Sequence, residues 1–445
     1  MNKFLIFLGF LGLFWACSYD EVNFEAVTDQ QLKLLVANAS PDGDSRFYIL
    51  PDGRELSEIP QDPKNPLSFQ KITLGKFLFF ETGIATAPEK EIGLETYSCS
   101  SCHIPSAGYK PGRFQGIADG AVGFGENGSV RMKRIDYDEE EIDAQGARPL
   151  SVLNVAFVEN TSWNGQFGGK GVNEGTESLW NEEEMTIVNE LGFAGIESQN
   201  IEGMELHRFH VDKEVTDRLR YTNLFDLSFP EISEDQRYSN FTASLAISAY
   251  IRSLITNEAP FQEWLKGDKD ALTYEQKRGA ALFFGKANCS NCHKNQNLGS
   301  NEFYALGVND LYQLGALKTG PDDRRNLGRG GFTKLESDNY KFKVPQLYNM
   351  KGAPFYFHGS SKESLEEVID YFSNAEPENP NVPEGQISPK FLPLNLSDRE
   401  KADLLAFLED ALFDPNIDRY VPLEVRSGNC FPNNDELSKE DLNCN

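Results

Sequence analysis

The chain has 445 residues, a formal net charge of −27, and 39% hydrophobic and 12% aromatic residues. That is length for two or three domains and enough apolar content to fill real cores, which excludes a wholly disordered chain. The acidic excess repels phosphate backbones, which argues against nucleic acid and for a basic protein partner, a merely solvated acidic surface being the plainer alternative.

The chain opens Met1-Asn2-Lys3, runs apolar over residues 4–15, and continues Ala16-Cys17. A basic residue, a short apolar core and a small residue make an export signal. The run is too short to span a bilayer as a mature helix. Ending at a cysteine, it reads as a lipoprotein signal peptide over 1–17, although Phe14 stands where leucine is usual. Cys17 is then lipidated and tethers the protein without crossing the membrane; plain secretion is the alternative. The location implied is the periplasm or the outer membrane of a Gram-negative bacterium.

Residues 18–65 are polar and proline-punctuated, and read as a tether plus an arm over the first domain. Residues 74–80 form a short amphipathic helix leading to Cys99-Ser100-Ser101-Cys102-His103. Residues 104–150 are rich in glycine and charge, a long loop region. Helical signals return at 176–190 and 212–226. They are strongest at 241–256, where Leu245, Ala249, Ile251 and Leu254 carry the period. Helices over 261–266 and 273–284, the second with a capped start at Thr273-Tyr274-Glu275-Gln276, lead to Cys289-Ser290-Asn291-Cys292-His293. Residues 294–345 are loop-like, and 364–372 and 397–412 are helices.

In each Cys-x-x-Cys-His the cysteines suit thioether bonds to the vinyl groups of a haem, and the adjacent histidine suits its iron. A zinc site would need further ligands close by, and none follow either motif. A dithiol redox pair would need neither two copies nor two histidines. Two covalently bound haem c groups are therefore expected, on His103 and His293. The order helix, motif, irregular stretch, helices occurs twice, with the motifs 190 positions apart. The fold expected is mainly α, two cytochrome c-like haem domains over 66–258 and 259–425, with long irregular loops and little β. Residues 426–445 form a polar tail in which Cys430 and Cys444 suit a disulfide in an exported protein.

Over residues 70–420 the chain resembles the bacterial dihaem cytochrome c peroxidases and their relatives of the MauG type. The resemblance is carried by Leu74-Gly75-Lys76-Phe77-Leu78-Phe79-Phe80, Ser151-Val152-Leu153-Asn154-Val155-Ala156-Phe157 and Trp163-Asn164-Gly165. In the second half it is carried by Glu275-Gln276-Lys277-Arg278-Gly279, Phe342-Lys343-Val344-Pro345 and Pro354-Phe355-Tyr356-Phe357-His358-Gly359. The family implies a peroxidase that reduces hydrogen peroxide to water at the haem on His103. Electrons come from an external donor such as a small cytochrome c, and enter at the haem on His293. Trp163 matches the tryptophan between the haems. A high-valent MauG-like oxidase acting on a protein or organic substrate is the alternative, and a non-catalytic electron-transfer cytochrome is the reading of another class.

The resemblance also assigns the far sides of the irons, and there this chain departs from it. Gln199, in Glu197-Ser198-Gln199, matches the family's distal glutamine. The distal glutamate falls where this chain has Phe209, which leaves Glu205, His207 and His210 as candidates. His207 can move protons near neutral pH or bind the iron itself. No histidine lies between His103 and His207, so a resting open iron is implied. At the second haem the expected ligand position holds Phe372; Tyr371 beside it, Met350, or an open site are the choices. His358 reads as structural or close to a propionate. The family also allows an interdomain calcium, although Arg148 stands at its expected asparagine, and a homodimer.

Overall fold

The computed structural model describes residues 27–182 and 185–444, so the export signal and Cys17 lie outside the described residues. Helices carry the fold: α1 Asp29–Ala39, α2 Phe69–Phe80, α3 Gly195–Leu206, α4 Lys213–Arg218, α5 Thr222–Ser228, α6 Glu234–Arg237, α7 Asn240–Arg252, α8 Pro260–Lys266, α9 Tyr274–Phe284, α10 Arg329–Thr333, α11 Leu365–Asn374, α12 Asp398–Ala406 and α13 Glu436–Asp441. The strands among the described residues are two antiparallel ribbons, β1 Ala121–Val122 with β2 Met132–Lys133 and β3 Phe303–Tyr304 with β4 Phe342–Lys343. The protein is thus mainly α with little β. No described helix is long and apolar enough to cross a membrane.

Each half is built on one close helix pair. In the first, α2 lies on α7 with Gly75 at the crossing, where a Cβ would sit 1.8 Å from the Ala246 carbonyl oxygen. In the second, α9 lies on α12 with Gly279 at the crossing, and a Cβ would sit 1.9 Å from the Asp403 carbonyl oxygen. Only glycine permits backbones so close. Four residues after each glycine comes a buried Phe-Phe pair, Phe79-Phe80 or Phe283-Phe284. The Phe79 ring lies 6.4 Å from His103 and the Phe283 ring 6.2 Å from His293. One local device therefore seats both motif histidines. The two cores divide between Leu254 and Ile255, although Ile417 and Val425 return to the first.

Two segments run elsewhere than their composition suggests. The arm begins on the second half, not the first: Leu32, Val36, Tyr48, Leu50 and Ile59 join the core of Phe261 and Trp264. Thr28 and Gln31 close a capping box, and Leu32 and Val36 one turn apart give α1 an apolar face. The arm reaches the first half where Asp62 accepts from the Ala194 amide at 2.6 Å. The tail returns across the first half. Cys430 and Cys444 form a disulfide, and Phe431 lies edge-on to Phe80 at 5.5 Å. Asp435 is buried with Arg131 at 3.4 Å.

Local differences have physical causes. The region 176–190 holds 3-10 turns, Glu177–Leu179 and Ile187–Leu191, because its charges leave no apolar stripe. Helix α12 stops at Ala406 and continues as a π turn, Phe407–Ala411. Helix α3, with glycines at 195 and 203, gives little periodic signal yet becomes a wall of the site.

Candidate functional site

Residues Cys99–Ser101 form a 3-10 turn that carries the first motif. His103 Nδ1 lies 3.1 Å from the Tyr109 carbonyl oxygen. A carbonyl only accepts, so Nδ1 carries the proton and Nε2 keeps its lone pair for a metal. Burial drops this imidazole to about 4, which keeps it neutral as an iron ligand must be. The second motif repeats the arrangement. Its turn is Cys289–Asn291, His293 Nδ1 donates to Leu298 O at 2.8 Å, and burial again drops the ring to about 4. None of the four motif cysteines is in a disulfide. Burial pushes Cys99, Cys102 and Cys289 up to about 12.

A cavity of about 670 Å³ is lined by Cys99, Cys102 and His103 and also by Gln199, Glu202, His207 and Trp163. Gln199 and Glu202 lie one turn apart on α3, so both reach the same wall. Burial, then the charge of Glu205, pushes the Glu202 carboxyl up. Glu205 itself is exposed and forms no part of the wall. Helical phase, not proximity in sequence, selects Glu202. At the end of α3, His207 Nδ1 lies 2.7 Å from Asp143 Oδ2. Burial works against its protonated form, but the Asp143 charge and hydrogen bond outweigh it and hold the imidazole above its ordinary range. His210 is exposed and paired with Asp212 at 3.1 Å. Phe209, where the family has its glutamate, is buried against Tyr97 at 5.4 Å.

Trp163 donates its indole N–H to the Arg148 carbonyl at 2.6 Å and meets the His358 ring edge-on at 6.2 Å. His358 is buried, stacked on Phe342, and bonded through Nε2 to Asp310 Oδ1 at 3.0 Å. Its surroundings are those of a structural group. Met350 lines the cavity, with its sulfur 3.5 Å from Lys110 Nζ. Tyr371 does not line it; its hydroxyl donates to Leu306 O at 2.7 Å. Phe372 lies against Phe357 and Phe391.

The cavity suits a ligand with carboxylates. Lys110, Arg148 and Lys343 line it, all buried, and none pairs with a carboxylate among the described residues. Arg148 Nε has no partner at all. Burial drops Lys343 to about 7. A haem brings two propionates, so these three cations fit it. No sequence pattern marks the three as one site: Lys343 belongs to Phe342-Lys343-Val344-Pro345, Arg148 stands at the position of an expected asparagine, and Lys110 lies in a loop-like stretch. Arg148 also puts a cation where the family has a calcium ligand. Among the described residues no cluster of three metal-ligating side chains exists.

The two motifs differ in exposure. Ser98 and Ser101 donate to Pro432 O at 2.9 and 3.2 Å, so the tail covers the first motif. In the second, Asn291 is exposed and Cys289, Cys292 and His293 are half-buried. Around it lie surface groups: Lys294 with Glu302 at 2.5 Å, and Lys390 with the Tyr304 hydroxyl at 2.6 Å.

Comparison with known proteins gives one family. The pattern described as di-haem cytochrome c peroxidase matches residues 69–270. The methylamine utilization protein MauG of Methylorubrum extorquens is 30% identical over 368 residues, 81% of this chain and 84% of that protein. The cytochrome-c peroxidase IdrP1 of a Pseudomonas species is 28% identical over 409 residues, 85% and 91% of the two chains. Among solved structures, a MauG-like protein associated with microbial copper homeostasis superposes with a TM-score of 0.56. It is 24% identical and covers 85% of this chain and 97% of its own.

Proposed function

Because the chain belongs to the di-haem cytochrome c peroxidase family, an oxidoreductase family that takes in MauG, we propose that it reduces hydrogen peroxide to water. The reaction site is a haem c held by Cys99, Cys102 and His103, and electrons enter from outside through a haem c held by Cys289, Cys292 and His293. The observation that carries the reading is the inequality of the motifs. The first adjoins a cavity walled by Gln199, Glu202 and His207, and its Ser101 and Cys102 are buried; in the second Asn291 is exposed and Cys292 half-buried beside surface charges, the remaining cysteine and the histidine being half-buried in both.

Reducing one peroxide to two waters takes two electrons and two protons. A haem at each motif would supply the redox chemistry. The chain's own residues do the rest. The Gln199 amide can hold the peroxide. His207 moves the proton from one peroxide oxygen to the other, so that the O–O bond breaks with water leaving. Glu202, held protonated to higher pH by burial, is a second proton source. Lys110, Arg148 and Lys343, buried in the cavity wall, would receive propionates. Trp163, an indole in the cavity wall, is the route for electrons between the halves. Tyr371, whose hydroxyl donates to Leu306 O in this structure, is the residue that would be offered to the second haem iron. Covalent haem attachment requires export, which fits a lipid anchor at Cys17. The charge of −27 favours a small basic cytochrome as donor.

Stopped-flow mixing of the ferric holoprotein with peroxide tests the reading, followed by turnover with reduced cytochrome c. Fast reaction at one high-spin haem and steady turnover are expected. In Trp163→Phe the first step should persist while electron delivery slows about tenfold or more. Two low-spin haems inert to peroxide defeat the reading. A reactive haem without donor turnover moves it to the MauG-like oxidase.

A further inference from the structure

The family's distal glutamate position is filled by Phe209, which is buried and closes against both Tyr97 and the His207 ring, 6.3 Å away. Proton transfer must therefore be built from other groups. We propose that Asp143 and His207 form a proton-transfer dyad on the cavity wall, in which Asp143 is a positioning residue and His207 Nε2 is the atom that takes and returns the peroxide proton. This inference rests on the peroxidase reading.

The geometry is fixed from both sides. His207 caps α3, its amide donating to Gly203 O at 3.0 Å. Its Nδ1 meets Asp143 Oδ2 at 2.7 Å. A carboxylate accepts, so Nδ1 is the protonated nitrogen and Nε2 is the acceptor. Nε2 has no protein partner among the described residues, and the ring lines the cavity it shares with His103. The main chain of Asp143 is pinned. Its carbonyl accepts from the Ala118 amide at 2.9 Å and its amide donates to Asp119 O at 3.1 Å. Asp119 in turn holds Arg208, the residue after His207, and accepts from the Tyr137 hydroxyl at 2.8 Å. Two carboxylates of one loop thus grip two consecutive residues at the end of α3. This is the pattern expected where a ring must stay in one tautomer and one orientation.

The charged groups that act on His207 are Asp143 from the loop and Arg208 on its own segment, the latter held by Asp119; Glu202 on α3 and His103 share its cavity. Asp143 is the group in direct contact with it and favours the protonated ring, in line with the raised affinity for protons. In the reaction, neutral His207 accepts one proton from peroxide at Nε2 and returns it to the departing oxygen. The imidazolium in between is stabilised by Asp143. The ring ends unchanged; the two electrons come from the external donor protein, and the two protons that complete the second water come from solvent.

The test uses the ferric holoprotein and its Asp143→Asn, Asp143→Glu and His207→Gln variants. Two quantities are followed against pH: the rate of reaction with peroxide, and the affinity for cyanide, which enters as HCN and leaves a proton on the distal base. The wild type should rise with pH through a midpoint above the ordinary histidine value. Asp143→Asn keeps shape but removes the charge, so the midpoint should fall by about one unit and the peroxide rate about tenfold. Asp143→Glu should restore the midpoint, and His207→Gln should remove it with about a hundredfold loss of rate. Profiles of Asp143→Asn that overlay the wild type, or a midpoint that survives His207→Gln, overturn the dyad. A wild type inert to peroxide overturns the peroxidase reading alone, and the cyanide profiles then decide the dyad by themselves.

Discussion

At the scale of single residues, the same pair makes a stability prediction. The folded pKa of His207 is raised above its unfolded value by Asp143. Such a group contributes stability that is fully present below the unfolded value of about 6.5 and is lost as pH rises through the folded value. Urea denaturation should find the wild type more stable than Asp143→Asn in mildly acidic solution, with the gap closing in alkaline solution. A second case is Asp435, buried against Arg131. Asp435→Ala leaves that guanidinium buried and unpaired, and should cost about 3 kcal/mol by the same measurement. Much of the site was legible at this scale. Gln199 and Trp163 are found through short patterned stretches, whereas His207 is found only as one of three neighbours of Phe209, with Glu205 and His210. Glu202 and Asp143 are not found. The first depends on helical phase against Gln199, and the second is 64 residues from its partner.

At the scale of elements, the two crossings at Gly75 and Gly279 are the most sensitive points. An added methyl at either meets a carbonyl oxygen at under 2 Å, so the helix pair must separate. Gly75→Ala and Gly279→Ala should each cost about 3 kcal/mol. Each should also loosen its own motif, read as faster hydrogen exchange in α2 and α7 or in α9 and α12. Helix α7 was legible from its apolar period and α9 from a capped start at Thr273; the Ser239–Thr242 box of α7 emerges only in the structure. Helix α3 was not legible. Its cavity wall mixes Ile196, Met204 and Leu206 with Gln199, Glu202 and Gly203, so polar groups and a glycine interrupt the face that a cofactor would cover, and no clean apolar stripe announces the helix. The same polarity misled in the opposite sense at 176–190, where charge without a stripe gives only turns.

At the scale of the whole molecule, the acidic field and the half-exposed second motif make electron delivery from a basic donor sensitive to salt. Its bimolecular rate should fall steadily as ionic strength rises, whereas the reaction with uncharged peroxide should not. The twofold order of helix and motif was readable from the sequence. The crossing of the termini was not, since the arm docks through a few apolar residues, Leu32, Val36, Tyr48, Leu50 and Ile59, scattered in a polar stretch, and the tail through Phe431 and hydrogen bonds; composition reveals neither partner. Removing the Cys430–Cys444 link should free the tail and raise hydrogen exchange at residues 96–102 and 118–125, with the second half unchanged. The tail also lies over Ser101 of the first motif and Ser98 just before it. Haem loading there has to come before the tail docks, whereas the second motif keeps the side at Asn291 uncovered in the folded protein.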